Sequence, residues 1–199
     1  MIIFTPILES ESKEKLPLPK YDGIKMSLED FLTTKVEDQG FKYEWNNGVL
    51  EAEYAMKFSE QILVDTIIRR FCTTNSFKEG NSLLPEVECY LKSIDSVKKP
   101  DICYLTKEQI KNSRQKSVDQ VPSFLIEIIS PSNSVIEIEK KIHDYFQAGV
   151  KIIWIVYPEL RLVKVYSSPK SVLICTDKDD CSTGSIIPDF HITVEEIFI

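Results

Sequence analysis

Residues 121–158 read "VPSFLIEIISPSNSVIEIEKKIHDYFQAGVKIIWIVYP". Phe124 to Ile129 would be an unbroken apolar run were it not for Glu127. The following "SPSNS" supplies turn and capping residues, and Ile138, Ile142, Tyr145 and Phe146 then recur at the helical period. That spacing predicts a helix over 135–148, ended by Gly149 in the usual C′ position. "VKIIWIVYP" is a second near-continuous apolar strand. The strand–helix–strand unit over 122–157 predicts an α/β chain, a mixed β-sheet flanked by helices.

Working outward from that unit, "MSLEDFLTT" predicts a short helix with Ser27 as N-cap and Asp30 three residues on. "FKYEWNNGVLEAEYAM" alternates around Asn46-Asn47-Gly48, a hairpin turn whose residues tolerate positive φ. "SEQILVDTIIRRFC" spaces Ile62, Leu63, Ile67 and Phe71 as a helix does. Strands are expected at Leu83–Leu91 and Ile102–Leu105, and the polar segment 107–120 as a surface loop or short helix. "RLVKVYSS" and "SVLICT" alternate as hairpin partners, and "TVEEIFI" suggests a last short helix. Residues 1–25 carry charges and prolines without periodicity and read as an N-terminal extended arm, leaving 26–199 as the folded domain.

A chain of 199 residues, 43% hydrophobic and 28% charged, is large enough for one domain with a substantial core. No apolar run approaches the roughly 20 residues that cross a bilayer, so no membrane partner is expected. The N-terminus has no cationic region ahead of its short apolar start and does not read as a secretory signal. Five cysteines without a CxxC pair, and only 2 histidines, argue against structural zinc and for reduced thiols in a cytoplasm. A net charge of −7 argues against strong nonspecific binding to nucleic acid.

Glu127 is the chemical puzzle. An ionised carboxylate inside an apolar strand is costly unless it is paired, hydrogen-bonded or bound to metal. It either lies on an edge strand facing water or belongs to a site. Asp101 follows Pro100 and opens the strand "ICYL", a position that is often merely a turn. Two carboxylates on adjacent strands can instead converge on a hard divalent cation. On the helix 135–148, projection at about 100° per residue points Lys140 away from the apolar face. Lys141 lies roughly 80° from the centre of that face, where a long side chain either reaches inward or is solvated at the helix edge.

These features together resemble the PD-(D/E)XK nuclease superfamily, and more closely its Uma-type family, described as "putative restriction endonucleases". The resemblance covers most of 26–198 and rests on Glu44 with Gly48, on Pro100-Asp101 and on "IEIISPS". It continues through Lys141 with Tyr145 and "AGV" to Trp154 in "IIWIVYP". The superfamily pattern places a lysine two residues after the glutamate, where this chain has Ile129; Uma-type proteins supply it from the following helix, at Lys141. Two departures stand out. Tyr157 replaces a frequent aspartate, and Ser59-Glu60 stand where a histidine is often found.

The resemblance implies a restriction-endonuclease-like core and Mg²⁺- (or Mn²⁺-) dependent hydrolysis of DNA by Asp101, Glu127, Lys141 and Glu44. Asp101 and Glu127 would hold the metal, and Lys141 would orient water and offset transition-state charge. Glu44 either adds a carboxylate or is a solvent-facing hairpin residue. Removing Asp101 or Glu127 is expected to leave thermal stability equal or higher, because carboxylates without a cation repel. Two alternatives remain: a catalytically inactive nucleic-acid-binding or regulatory protein that retains the fold, and a structural assembly protein. A homodimer would suit cleavage of both strands.

Overall fold

The computed structural model describes residues 17–113 and 121–198. In chain order the elements are α1 (Leu28–Thr33), β1 (Phe41–Asn46), β2 (Val49–Tyr54), α2 (Phe58–Phe71), α3 (Asn75–Lys78), β3 (Ser82–Pro85), β4 (Cys89–Leu91) and β5 (Ser96–Lys98). They continue with β6 (Ile102–Leu105), α4 (Lys107–Ser113), β7 (Phe124–Ile128), α5 (Val135–Ala148), β8 (Ile152–Tyr157), β9 (Leu162–Ser168), β10 (Ser171–Thr176) and α6 (Val194–Ile197).

The larger sheet has the order β10-β9-β8-β7-β6-β3. β7 and β8 run parallel, joined by α5, and every other neighbouring pair is antiparallel. Both faces of β7 are covered, which is why its sequence is apolar at nearly every position. Phe124, Ile126 and Ile128 pack with Trp154, Val156, α2 and the C-terminal segment. Leu125 packs on the opposite face with Ile153, Ile155 and the α5 residues Ile138, Ile142 and Tyr145. An edge position for Glu127 is thereby excluded.

The smaller sheet has the order β2-β1-β5-β4. Its hairpin turns through Asn47 and Gly48 at φ 46° and 87°, the left-handed conformations that the Asn-Gly pair accepts most cheaply. Tyr43, Trp45, Leu50 and Val97 form a third apolar cluster against Phe31 of α1. The alternate residues of these strands, Lys42, Glu44, Glu51, Glu53 and Lys98, are left to the other face.

Two expectations need correction. Leu83–Leu91 is two strands in different sheets, because the chain turns at Glu86 (φ 50°) directly after Pro85. β5 escapes sequence reading because it is three residues long and carries a serine and a lysine, yet all three are buried. Of the expected arm, residues 1–16 lie outside the described residues. Gly23 and Lys25 instead pair with the hairpin, the Gly23 N–H donating to the Leu50 carbonyl at 2.9 Å. Segment 107–120 contains α4, and residues 114–120 lie outside the described residues.

Candidate functional site

The polar face of the small sheet opposes β7 and α5 across a cleft of about 730 Å³. Strand alternation puts Glu127 on the α5 face of β7, and its side chain is buried. β6 pairs Ile102 with Ile126 and Cys103 with Leu125, so one residue beyond the ladder Asp101 falls opposite Glu127. Like charges directly across an antiparallel pair destabilise it, a cost that needs a compensating partner. Lys141 turns inward from α5 with its side chain 17% exposed, whereas Lys140 is 55% exposed, as the helical projection requires. Glu44 enters from β1 and is 1% exposed, which removes the solvent-facing hairpin alternative. Asp101, Glu127 and Lys141 therefore line one cleft, and Glu44 stands behind it in contact with Lys141.

Each acid is held by named partners. The Tyr145 hydroxyl donates to Glu127 Oε1 at 2.5 Å, and the Lys141 ammonium lies 3.5 Å from that same oxygen. Both contacts use Oε1; Oε2 takes part in neither. Asp101 Oδ2 accepts from the Ile128 N–H at 2.7 Å, and its Oδ1 from Lys42 Nζ at 2.8 Å. Glu44 Oε1 accepts from the Lys99 N–H at 2.8 Å and lies 3.4 Å from Lys141. Its Oε2 is 3.0 Å from the Lys98 ammonium. Lys141 completes its shell with Glu53 Oε1 at 2.5 Å.

Burial and these charges tune the acids apart. Burial raises the Glu127 pKa, and Asp101 and Glu53 add to it against Lys141 and Lys42, leaving it up at about 7. Burial also acts to raise Glu44, but Lys141, Lys98 and the Lys99 N–H reverse the effect and hold it down at about 2. Burial and the Glu44 charge raise the Glu53 carboxyl against Lys141 and Lys42. Burial works against the charged form of Lys42 and Lys141, yet the surrounding carboxylates win and both pKa values rise. Opposed environments on neighbouring titratable groups mark sites of acid–base or metal chemistry.

Sequence reasoning missed Lys42, Glu53 and Lys98. All three sit at polar positions of strands that alternate with apolar ones, and such positions ordinarily face water. The signal available was the alternation itself, "KYEW" in β1 and "LEAEY" in β2. The second sheet that covers it is a tertiary fact. Lys98 is 3% exposed and committed to Glu44 and Glu51. Glu60, at the position where the family often has histidine, caps its own helix by accepting from the Lys57 N–H at 2.8 Å.

Among the described residues no three His, Cys, Asp or Glu side chains converge as a ready-made metal cage. The donor set nevertheless fits a hard divalent cation. Mg²⁺ commonly takes one or two carboxylates and keeps its waters, and Asp101 and Glu127 supply such a pair. Four buried or half-buried carboxylates, Glu44, Glu53, Asp101 and Glu127, face three ammoniums, Lys42, Lys98 and Lys141.

A mixed sheet with a buried acid pair at its centre and a lysine beside it defines a protein of the restriction-endonuclease-like class. The family follows from the sequence. Residues 28–195 match the model of the Uma2 family, "Putative restriction endonuclease", and the chain belongs to that family. Among solved structures the chain resembles a putative nuclease belonging to DUF820 from Anabaena variabilis. The TM-score is 0.73 at 17% identity, covering 87% of this chain and 97% of that one. None of the curated proteins compared matches it.

Proposed function

We propose that the protein hydrolyses phosphodiester bonds of DNA with the help of a divalent metal. The observation that carries this reading is the convergence of Asp101, Glu127 and Lys141 on one cleft, from the residue ahead of β6, from β7 and from α5 respectively. Asp101 and Glu127 would hold Mg²⁺ or Mn²⁺, which supplies charge neutralisation at the scissile phosphate and a more acidic water. The Lys141 ammonium, fixed by Glu127, Glu53 and Glu44, orients the attacking water and offsets charge that develops on the phosphate. Tyr145 fixes the rotamer of Glu127 through Oε1. Glu44, held ionised, anchors Lys141 rather than reaching the substrate.

The unit that carries this activity is 26–199. Its free thiols suit a reducing cytoplasm, and a two-fold homodimer would suit cleavage of both strands. Plasmid nicking with Mg²⁺ or Mn²⁺ tests the reading. Asp101→Asn and Glu127→Gln should each lower the rate by at least about 100-fold, the scale of losing a group that stabilises transition-state charge. Cleavage by the double variant at the wild-type rate would overturn it.

The net charge of −7, with Lys42, Lys98 and Lys141 all paired to acids, favours one other reading. This is a catalytically inactive nucleic-acid-binding or regulatory protein that keeps the fold. Metal titration separates the two, because only the enzyme requires Mg²⁺ or Mn²⁺ binding that depends on Asp101 and Glu127.

A further inference from the structure

Lys42 reaches the cleft from β1. Its ammonium lies 2.8 Å from Asp101 Oδ1, donates to the Lys99 carbonyl at 3.2 Å, and has Glu53 Oε2 3.6 Å away. The side chain is only 8% exposed, so these oxygens rather than water compensate its charge. Each Asp101 oxygen thus already has one partner, Lys42 on Oδ1 and the Ile128 N–H on Oδ2.

A divalent cation arriving on Asp101 and Glu127 shares Oδ1 with the ammonium, sits on Oδ2 close beside it, or replaces it. Either of the first two sets like charges close together in a poorly solvated cleft, where repulsion is several-fold stronger than in water. Replacement has a route already built. The hairpin register puts Glu53 directly opposite Lys42. Lys141 occupies Glu53 Oε1, while Oε2 is the oxygen turned to Lys42.

We infer that Lys42 is a resident counter-ion that occupies the cation's place on Asp101 and transfers to Glu53 when a divalent metal binds. It is a positioning residue that sets the metal affinity of the site. The inference rests on the proposed metal site at Asp101 and Glu127.

The test is calorimetric titration of the full chain with Mn²⁺, comparing wild type with Lys42→Met, Lys42→Gln, Lys140→Met and Asp101→Asn. Both Lys42 variants should bind Mn²⁺ about tenfold tighter or more, since a close like charge has been removed. Lys140→Met removes the same charge from an exposed position and should stay within about twofold, because water screens it. Unchanged or weaker binding by the Lys42 variants overturns the inference, as does an equal gain in Lys140→Met. Lys42→Gln keeps a hydrogen-bond donor toward Asp101 in case the methionine variant does not fold.

A crystal structure of the wild type with Mn²⁺ reads the transfer directly. Lys42 should have left Asp101 for Glu53. Lys42 still on Asp101 Oδ1 beside a bound ion overturns the inference without any substitution. Loss of binding in Asp101→Asn with the Lys42 variants unaltered defeats this inference and leaves the site standing. Binding retained by Asp101→Asn, or found in none of the proteins, defeats the site itself.

Discussion

Glu127 and Asp101 stand opposite each other, and the consequences differ for the two residues. Burial, Asp101 and Glu53 raise the Glu127 pKa from 4.5 to about 7. The folded protein therefore binds that proton more tightly than the unfolded chain does. The stabilising difference is present at low pH and is lost as pH rises from about 4.5 through about 7. In buffer with a chelator, the urea midpoint of wild type should fall across that window relative to Glu127→Gln. Parallel pH profiles for the two proteins would contradict the sign. For Asp101 the structure reverses the expectation that removing an acid leaves stability equal or higher. Asp101→Ala strands the buried Lys42 ammonium and the Ile128 N–H. The expected loss is about 3 kcal/mol by urea denaturation in chelator, the scale of breaking a buried ion pair from one side. An unchanged midpoint would show that Glu53 alone suffices for Lys42.

α5 is the element on which the lysine depends. Its start is a capping box: the Glu137 N–H donates to Ser134 Oγ at 3.2 Å, and the Ser134 N–H to Glu137 Oε2 at 2.9 Å. Its end is Gly149 at φ 107°, with the Gly149 N–H bonded to the Phe146 carbonyl at 3.0 Å. A Cβ at Gly149 would meet nothing within 4 Å, so Gly149→Ala should cost only its backbone conformation, about 1–2 kcal/mol. Ser134→Ala should cost about 1 kcal/mol through the lost cap. Thermal unfolding of both variants measures these values. A loss of several kcal/mol at Gly149 would mean that crowding, not φ, excludes a side chain there. The periodicity of "VIEIEKKIHDYFQAG" was sufficient to choose Lys141 over Lys140, because one helix face follows from sequence spacing alone.

At the scale of the whole molecule, the cleft exists because the polar face of one sheet is turned toward β7 and α5 of the other. Five of its charges, Lys42, Glu53, Lys98, Glu127 and Lys141, come from chain positions up to ninety-nine residues apart and act as one electrostatic unit. A ligand that binds only the folded state raises stability by about 2.7 kcal/mol at 100 times its dissociation constant. With the metal site as proposed, Mn²⁺ should raise the melting temperature of wild type and leave that of the Asp101→Asn, Glu127→Gln double variant unchanged. An equal rise in both would place the bound ion elsewhere.

The helices α1, α2 and α5, the hairpin turn, the caps of α1 and α5 and the apolar strands β7 and β8 were legible in the sequence. Each is set by local chemistry: a period of apolar residues, an Asn-Gly turn, a serine ahead of an acid. Glu127 was legible as an anomaly because a charge inside an apolar run has to be explained. Splitting 83–91 between two sheets was not legible, nor was the short strand β5. The ion-paired net around Lys42, Glu53 and Lys98 was hidden too, because a polar strand face reads the same whether water or a second sheet covers it. Only the packing of one sheet across the other removes that water, and removing it turns ordinary surface charges into partners that must neutralise one another.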